Sequence, residues 1–259
     1  MSTPPTERTD TGRTVRILIG IGILLIGIAA FLSVLSRANL VEATGTFSGV
    51  ASLELDLTNG PIIVVAGDDD RVIVEKSVTS GFFGGSAREE QTGDTLRLIQ
   101  RCPVLLGLGC RGSYRVTVPP GTMISGGTSN GPIRVEGIDG AIDVTTSNGE
   151  ISLDGLTARI TARTSNGSVT GTALLSGDLD VSTSNGRVSL VFAAVPTAVA
   201  VRTSNGNIDI AIPPDSPPFA LSTSTSNGQV RNEIRTDPAA PEIIDLRTSN
   251  GDITLVYSG

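Results

Sequence analysis

The sequence predicts an all-β fold, a β-solenoid-like stack of Thr-Ser-Asn-Gly repeats preceded by one N-terminal transmembrane helix. Three observations lead to this prediction: a tetrapeptide that recurs about every 20 residues, alternation of apolar and polar residues around each copy, and a long apolar run near the N-terminus. Periods of this length are typical of solenoids and other stacked repeats, in which each unit buries its apolar face against its neighbours.

The apolar run extends from Ile17 to Leu35 and contains a single polar residue, Ser33. As a helix it would be about 28 Å long, close to the thickness of a bilayer's hydrocarbon core. More basic residues precede the run than follow it, which favours a cytoplasmic N-terminus; they are Arg8, Arg13 and Arg16 before it and Arg37 after it. We therefore predict a disordered cytoplasmic tail at 1–16 and a single-pass signal anchor in the cell membrane at 17–36.

A cleaved signal peptide is the competing interpretation of this segment. Its apolar region is usually about 7–15 residues long and ends at a small-x-small site. Here the run is longer, and the best candidate site, Ser36-Arg37-Ala38, contains an arginine. These features favour the uncleaved anchor, and under either interpretation the rest of the chain lies outside the cytoplasm.

The tetrapeptide Thr-Ser-Asn-Gly occurs seven times, at spacings of 18, 18, 19, 20, 22 and 23 residues. Apolar residues stand at +3 and usually +5 from each asparagine, and at −4 and −6, which predicts strand, tight turn and strand. Asparagine and glycine suit such a turn because both tolerate positive φ. The predicted turn ladder comprises Asn130, Gly131, Asn148, Gly149, Asn166, Gly167, Asn185, Gly186, Asn205, Gly206, Asn227, Gly228, Asn250 and Gly251.

Two architectures fit this register. A meander of antiparallel hairpins would place Asn-Gly in each two-residue turn. A β-solenoid would place Asn-Gly at one corner of every coil. A hairpin turn does not require Thr and Ser before each Asn-Gly. Stacking of identical residues in adjacent coils does require them. The repetition of the whole tetrapeptide therefore favours stacked coils.

We predict one exported all-β repeat domain at 44–259, with regular repeats at 126–259. The preceding part, 44–125, is irregular and cap-like, as terminal units of repeat proteins usually are. Five of its segments read as strands: Leu53–Leu57, Ile62–Val65, Val72–Val74, Leu96–Ile99 and Tyr114–Val118.

The only two cysteines, Cys102 and Cys110, bracket a short apolar loop. A lone close pair in an oxidising compartment indicates one disulfide. By the loop-entropy relation, so short a loop would add at most about 2–3 kcal/mol to stability. Two free thiols are the alternative, and the spacing is not that of a redox Cys-x-x-Cys motif.

Several motifs come in a characteristic order: Leu-Thr-Asn-Gly-Pro-Ile-Ile-Val at 57–64, Arg-Val-Ile-Val at 71–74, Tyr-Arg-Val-Thr-Val-Pro-Pro-Gly-Thr at 114–122, and then the serial repeats. This order resembles the bacterial putative-adhesin (DUF4097) family over about 45–259. The resemblance implies a β-solenoid-like fold on the cell envelope, and some relatives are tied to envelope-stress systems. The Cys102–Cys110 loop and the Gly81–Gly85 segment depart from the family's pattern.

Composition excludes several classes of function. The net charge of −7 argues against a nucleic-acid surface, which needs a basic stripe. The absence of histidine removes the commonest general base and metal ligand. Paired carboxylates can cleave polysaccharides, but here the acidic residues fall at differing repeat positions; they are Asp143, Asp154, Asp178, Asp180, Asp209 and Asp252. We expect no catalytic residue, no metal and no cofactor.

Two surfaces are candidates for binding. The ladder residues build the turns, and they could also form a flat hydroxyl-and-amide stripe that contacts glycan or wall polymer. Apolar side chains in two irregular loops would either cap an open strand edge or contact a partner or a membrane; these are Phe82, Phe83, Leu105, Leu106 and Leu108.

The sequence therefore predicts a membrane-anchored envelope protein with a non-catalytic ectodomain for adhesion or envelope interaction. Its partners would be the membrane, through 17–36, and an unidentified envelope polymer, glycan or protein. An envelope-stress sensor or regulatory component that binds a ligand or membrane partner is the alternative, and a polysaccharide-active enzyme is a minor one.

Overall fold

The computed structural model describes residues 21–29, 39–80, 85–102 and 110–259. The chain divides into two compact units, Met1–Asn39 and Leu40–Gly259. In the first unit, residues 21–29 form a helix, and the rest of the predicted anchor at 17–36 lies outside the described residues. None of the helices in the described ranges has both the length and the apolar character needed to cross a membrane.

The second unit consists of two large, mainly parallel sheets that face each other. In spatial order, sheet A contains β1 (Asn39–Ser48), β4 (Arg71–Ser80), β7 (Arg111–Val118), β3 (Ile62–Ala66), β9 (Ile133–Glu136), β11 (Ile151–Asp154), β13 (Val169–Leu174), β15 (Val188–Phe192), β17 (Ile208–Ile212), β21 (Ile253–Tyr257) and β19 (Val230–Asn232). Sheet B contains β18 (Ala220–Ser224), β20 (Ile243–Arg247), β16 (Ala198–Arg202), β14 (Asp178–Asn185), β12 (Ile160–Asn166), β10 (Ile142–Asn148), β8 (Met123–Asn130), β2 (Ser52–Asn59), β6 (Thr95–Arg101) and β5 (Ser86–Thr92).

Each repeat forms one coil of a two-sheet stack. The chain runs along a strand of sheet B, turns at Asn-Gly, returns along a strand of sheet A, and then enters the next coil. Neighbouring coils pair in parallel and in register, so that Ile142 lies beside Ile160 and Ile160 beside Leu179. Parallel pairing confirms the stacked coils and shows that the hairpin meander is wrong.

The core is the layer between the two sheets. Val144 and Ala162 of sheet B, and Ile151 and Leu153 of sheet A, have no exposed surface. These are the positions at −4, +3 and +5 from each asparagine, so the alternating pattern identified the inward face correctly. Because side chains alternate across a strand, the residues between them point to the outer surfaces of the sheets.

The spatial order of the coils differs from their order in the sequence at the C-terminal end. The last coil, β20 and β21, inserts between the β16–β17 coil and the β18–β19 coil. The reason lies in the inward-facing residues. Thr223 and Asn232 of the β18–β19 coil align with Leu246 and Leu255 of the last coil. Placing the more polar coil outermost leaves its Thr and Asn next to solvent and buries the apolar coil.

The N-terminal end shows a similar exchange. The first coil, β2 and β3, lies between the β6–β7 coil and the β8–β9 coil. Residues 44–125 therefore contribute two coils to the same stack, in addition to cap strands. The caps are antiparallel: β4 pairs with β7, and β5 pairs with β6. Lys76 and Glu89 form an ion pair of 2.6 Å between these two cap strands, and both side chains are largely buried.

Replacing Gly167 by alanine is expected to destabilise the stack. An added Cβ atom would collide with the backbone carbonyl oxygen of Gly149 in the neighbouring coil. Such overpacking against the backbone should lower the free energy of unfolding by about 3 kcal/mol. This loss corresponds to a decrease of roughly 6–12 °C in the midpoint of thermal unfolding. Gly121→Ala is the control, because a Cβ at Gly121 would meet no atom within 4 Å. Equal effects of the two substitutions would contradict the close-approach explanation.

Candidate functional site

The predicted turn residues meet at one corner of the stack, where the asparagine side chains form a continuous ladder. Each Nδ2 donates a hydrogen bond to the Oδ1 of the asparagine in the adjacent coil, at distances of 2.8–3.0 Å. In spatial order the ladder runs Asn59, Asn130, Asn148, Asn166, Asn185, Asn205, Asn250 and Asn227. Asn59 extends the seven predicted members by one, as its own Thr-Asn-Gly sequence already indicated.

In six of the seven tetrapeptides the threonine hydroxyl bonds to the backbone of the adjacent coil, whereas the Thr128 hydroxyl donates to the carbonyl oxygen of Asn130. Thr164 is buried, and its hydroxyl donates to the carbonyl oxygen of Gly149 in the adjacent coil at 3.0 Å. The same bond recurs along the stack, from Thr146 to Gly131, Thr183 to Gly167, Thr203 to Gly186, Thr248 to Gly206 and Thr225 to Gly251. Threonine is therefore needed at this position because it satisfies a backbone carbonyl of the neighbouring coil.

The serine of each tetrapeptide has no such role. Its side chain is exposed in every copy, and no hydrogen bond of its hydroxyl is formed within the described part of the chain. The residues are Ser129, Ser147, Ser165, Ser184, Ser204, Ser226 and Ser249. We call the exposed row of these serines and the ladder asparagines the corner stripe. Adjacent coils lie about 4.8 Å apart, so the stripe has that repeat.

The disulfide pair lies at the same corner, in the outermost full coil. Cys102 and Cys110 are joined, with Cα atoms 5.2 Å apart, and both are buried. Cys102 follows β6 and Cys110 precedes β7, which is the position in the coil that Asn-Gly occupies in the other coils. The Nδ2 of Asn59 donates to the carbonyl oxygen of Cys110 at 3.3 Å, so this coil covers the first end of the ladder.

The apolar contact candidates cannot be placed at this corner or elsewhere. Phe82 and Phe83 lie in residues 81–84, and Leu105, Leu106 and Leu108 lie in residues 103–109. Both segments are outside the described residues. The roles of these five residues as a cap or as a partner contact therefore stay predictions.

The acidic residues lie on several strands and are engaged with neighbours, although Asp178 and Asp180 share the outer face of β14. Asp143 pairs with Arg163 at 3.0 Å, Asp178 with Arg159 at 3.1 Å, Asp180 with Arg202 at 3.4 Å and Asp209 with Arg187 at 3.8 Å. Asp154 accepts from Thr172, and Asp252 accepts from the backbone N–H of Gln229. Across residues 39–80, 85–102 and 110–259, no three potential ligands come together as a metal site.

The ion pairs between coils were not identified from the sequence. Arg202 lies between two carboxylates on the outer face of sheet B, Asp180 at 3.4 Å and Asp245 at 3.6 Å. A signal was present, because arginine recurs at −3 and aspartate at −5 from the asparagine in several coils. The Arg202–Asp245 pair forms only because the last coil lies next to the β16–β17 coil, an order that the sequence does not indicate. Exposed pairs of this kind contribute little to stability and mainly keep the outer face polar.

Two groups near the N-terminal cap have altered acidity. A hydrogen bond from Arg101 holds the pKa of the Asp56 carboxyl below its usual value, and Arg97 acts in the same direction. Burial raises the pKa of Tyr114 to about 12, and the carboxylate of Glu89 adds to the shift. The buried Tyr114 hydroxyl has no hydrogen-bond partner among the described residues.

Residues 124–256 match the profile of the family described as Toastrack DUF4097. Similar solved structures include a putative adhesin from Bacteroides fragilis NCTC 9343, at 12% identity and a TM-score of 0.48, with 86% of this chain and 99% of that chain covered. A putative cell adhesion protein from Clostridium sporogenes ATCC 15579 has 12% identity and a TM-score of 0.37, with 85% and 100% covered. A putative adhesin from Parabacteroides distasonis ATCC 8503 has 14% identity and a TM-score of 0.36, with 86% and 98% covered. No curated protein matches the chain.

Removing one ladder side chain should weaken the fold measurably. Asn166→Ala deletes two hydrogen bonds of 3.0 Å, one to Asn148 and one from Asn185. The expected loss is about 1–2 kcal/mol of unfolding free energy, measured by chemical denaturation. Ser165→Ala is the matched control, since it removes an exposed hydroxyl and should change stability by less than about 0.5 kcal/mol. An equal loss in both variants would show that the ladder bonds are not stabilising.

Proposed function

This chain belongs to the Toastrack DUF4097 family, and we propose that it is a membrane-anchored cell-envelope protein whose exported domain binds a repeating envelope polymer or glycan without catalysis. The corner stripe is the observation that supports this proposal. It is an exposed, regularly repeating array of amides and hydroxyls at one corner of the two-sheet stack.

The stripe offers one equivalent set of hydrogen-bonding groups per coil. A primary amide has two N–H donors and two acceptor lone pairs. Within the ladder, an internal asparagine uses one donor and one lone pair, so half of its capacity remains for a ligand or water. The neighbouring serine hydroxyl adds a donor and acceptors. Over eight asparagines this array extends about 34 Å at the strand spacing of about 4.8 Å.

Such an array suits a long, hydroxyl-rich polymer. Each further contact along a rigid surface adds to the binding free energy, because the protein is already ordered at every coil. The individual contacts are weak, so the affinity would come from their repetition along the stack. Each of the six acidic candidates for polysaccharide cleavage is engaged by a neighbour, so binding without turnover is the favoured mode.

The membrane anchor is the second part of the proposal. The apolar run from Ile17 to Leu35 is long enough to span a bilayer, and the basic residues before it favour a cytoplasmic N-terminus. The repeat domain would then face the extracytoplasmic side. A covalently attached anchor would hold the stripe near envelope polymers at high effective concentration.

The binding proposal is tested with purified residues 38–259 on envelopes, isolated wall polymer and a glycan array. Saturable binding to a defined polymer is expected. The triple variant Ser147→Gln, Ser165→Gln and Ser184→Gln places bulk on the stripe without charge, and should weaken binding at least about tenfold, or 1.4 kcal/mol. The control variant carries the same number of glutamines on exposed positions of the opposite corner: Ala141→Gln, Ala193→Gln and Val195→Gln.

Three outcomes would contradict this proposal. Equal affinity of the two triple variants would remove the stripe as the binding surface. No binding to any polymer would favour the sensing or regulatory alternative, and cross-linking to membrane partners would then be the relevant assay. Turnover of a bound polymer that a single aspartate substitution abolishes would instead support the enzyme.

The anchor makes a separate prediction. The full chain should sediment with membranes, resist extraction by alkaline carbonate and retain its original N-terminus in mass spectrometry. These results follow from an uncleaved apolar span of this length. A soluble product that begins near Ala38 or Thr44 would show that the segment is a cleaved signal peptide.

A further inference from the structure

The two ends of the asparagine ladder differ. At the first end, Asn59 is enclosed, because its Nδ2 donates to Cys110 and its Oδ1 accepts from Asn130. At the other end, Asn227 donates to Asn250 at 2.8 Å. Nothing in the described ranges donates to the Oδ1 of Asn227, because the stack ends there. Asn227, Gly228 and Gln229 are all exposed.

At five corners, the backbone N–H of the glycine after the asparagine donates to the asparagine carbonyl of the next coil at 2.6–3.0 Å; these are Gly60, Gly131, Gly186, Gly206 and Gly251. Gly206, which belongs to the interior of the ladder, is one of them. Gly228 belongs to the outermost coil, beyond which no further coil is stacked. Within the described structure its N–H has no acceptor.

These two differences matter because Asn-Gly is the dipeptide most prone to deamidation. In this reaction the backbone nitrogen of the glycine attacks the side-chain amide of the asparagine. Glycine has no side chain that hinders approach of its backbone nitrogen to the preceding asparagine side chain. The reaction needs a free glycine N–H that can lose its proton, and an asparagine Cγ that can rotate towards it. Hydrogen bonds to both groups oppose the reaction in the interior of the ladder.

We propose that Asn227-Gly228 is the site at which this protein undergoes spontaneous deamidation, while the interior Asn-Gly pairs are protected by the stack. The deprotonated Gly228 nitrogen attacks Cγ of Asn227. A C–N bond forms, the bond from Cγ to Nδ2 breaks, and Nδ2 leaves as ammonia with the proton it takes up. Water then opens the cyclic imide to an aspartyl or isoaspartyl residue. The balance is one water consumed and one ammonia released.

The chemical consequence is local to the end of the stack. The new carboxylate cannot donate to the Oδ1 of Asn250, so one ladder bond is lost and the other six remain. A negative charge is added at one end of the corner stripe. The inference depends on the ladder geometry alone and holds whether or not the stripe binds a polymer.

The test uses the full chain in detergent micelles, incubated at body temperature in mildly acidic and mildly alkaline buffers made with heavy-oxygen water. Trypsin releases one peptide, Thr203–Arg231, that contains both Asn205-Gly206 and Asn227-Gly228. Fragment ions of this single peptide therefore compare an interior site with the terminal site directly. Incorporated heavy oxygen separates deamidation during incubation from deamidation during digestion.

Deamidation at Asn227 should be at least about tenfold faster than at Asn205, because the interior site reacts only after local opening of the stack. It should also accelerate with pH, since attack requires loss of the amide proton. In denaturant the two sites should react at similar rates. Asn227→Gln should abolish the fast reaction and leave the rate at Asn205 unchanged.

Two results would overturn the proposal. The first is a rate at Asn227 in the folded chain no greater than at Asn205. The second is a fast reaction at Asn59, whose enclosed amide should be protected like the interior ones. The polymer-binding assay has a different readout, so its failure leaves this result unaffected.

Discussion

The fold depends on one contact, the close approach of backbone to backbone at the Asn-Gly corner. Each corner glycine lies so close to the carbonyl oxygen of the glycine in the next coil that a Cβ atom has no room, as at Gly149, Gly167 and Gly186. This contact fixes the coil-to-coil distance at the strand spacing. Given that distance, identical side chains lie directly above one another. The asparagine ladder and the threonine-to-carbonyl bonds follow from it.

The two outermost coils of the stack lack a neighbour on one side. The chain compensates by changing the order of its coils. An apolar coil left outermost would expose a core face and two strand edges that invite pairing with another chain. The coil with Thr223 and Asn232 facing inward lies at one end instead. There the edge strand β19 has only three residues. At the other end, antiparallel cap strands and the Lys76–Glu89 pair cover the first coils.

The residues of the tetrapeptide divide structural and surface roles, as the proposed binding surface requires. Threonine and glycine are committed to backbone contacts, and asparagine shares its amide between the ladder and solvent. The serine hydroxyls form no hydrogen bond with the described part of the chain. Substitutions at the serine row should therefore affect folding little, whereas the glycine row allows almost no change.

The sequence alone determined the coil. Alternation around Asn148 or Asn166 identifies the strands, the turn and the inward face, because these are set by neighbours a few residues away. It also indicated the parallel stack, since repetition of the whole tetrapeptide has a purpose only if like residues meet. The tertiary structure decided the order in which coils stack, and with it the Arg202–Asp245 pair and the position of Asn227 at the end of the ladder. No local pattern specifies that order, because it depends on which coil loses least free energy when one of its faces is left to solvent.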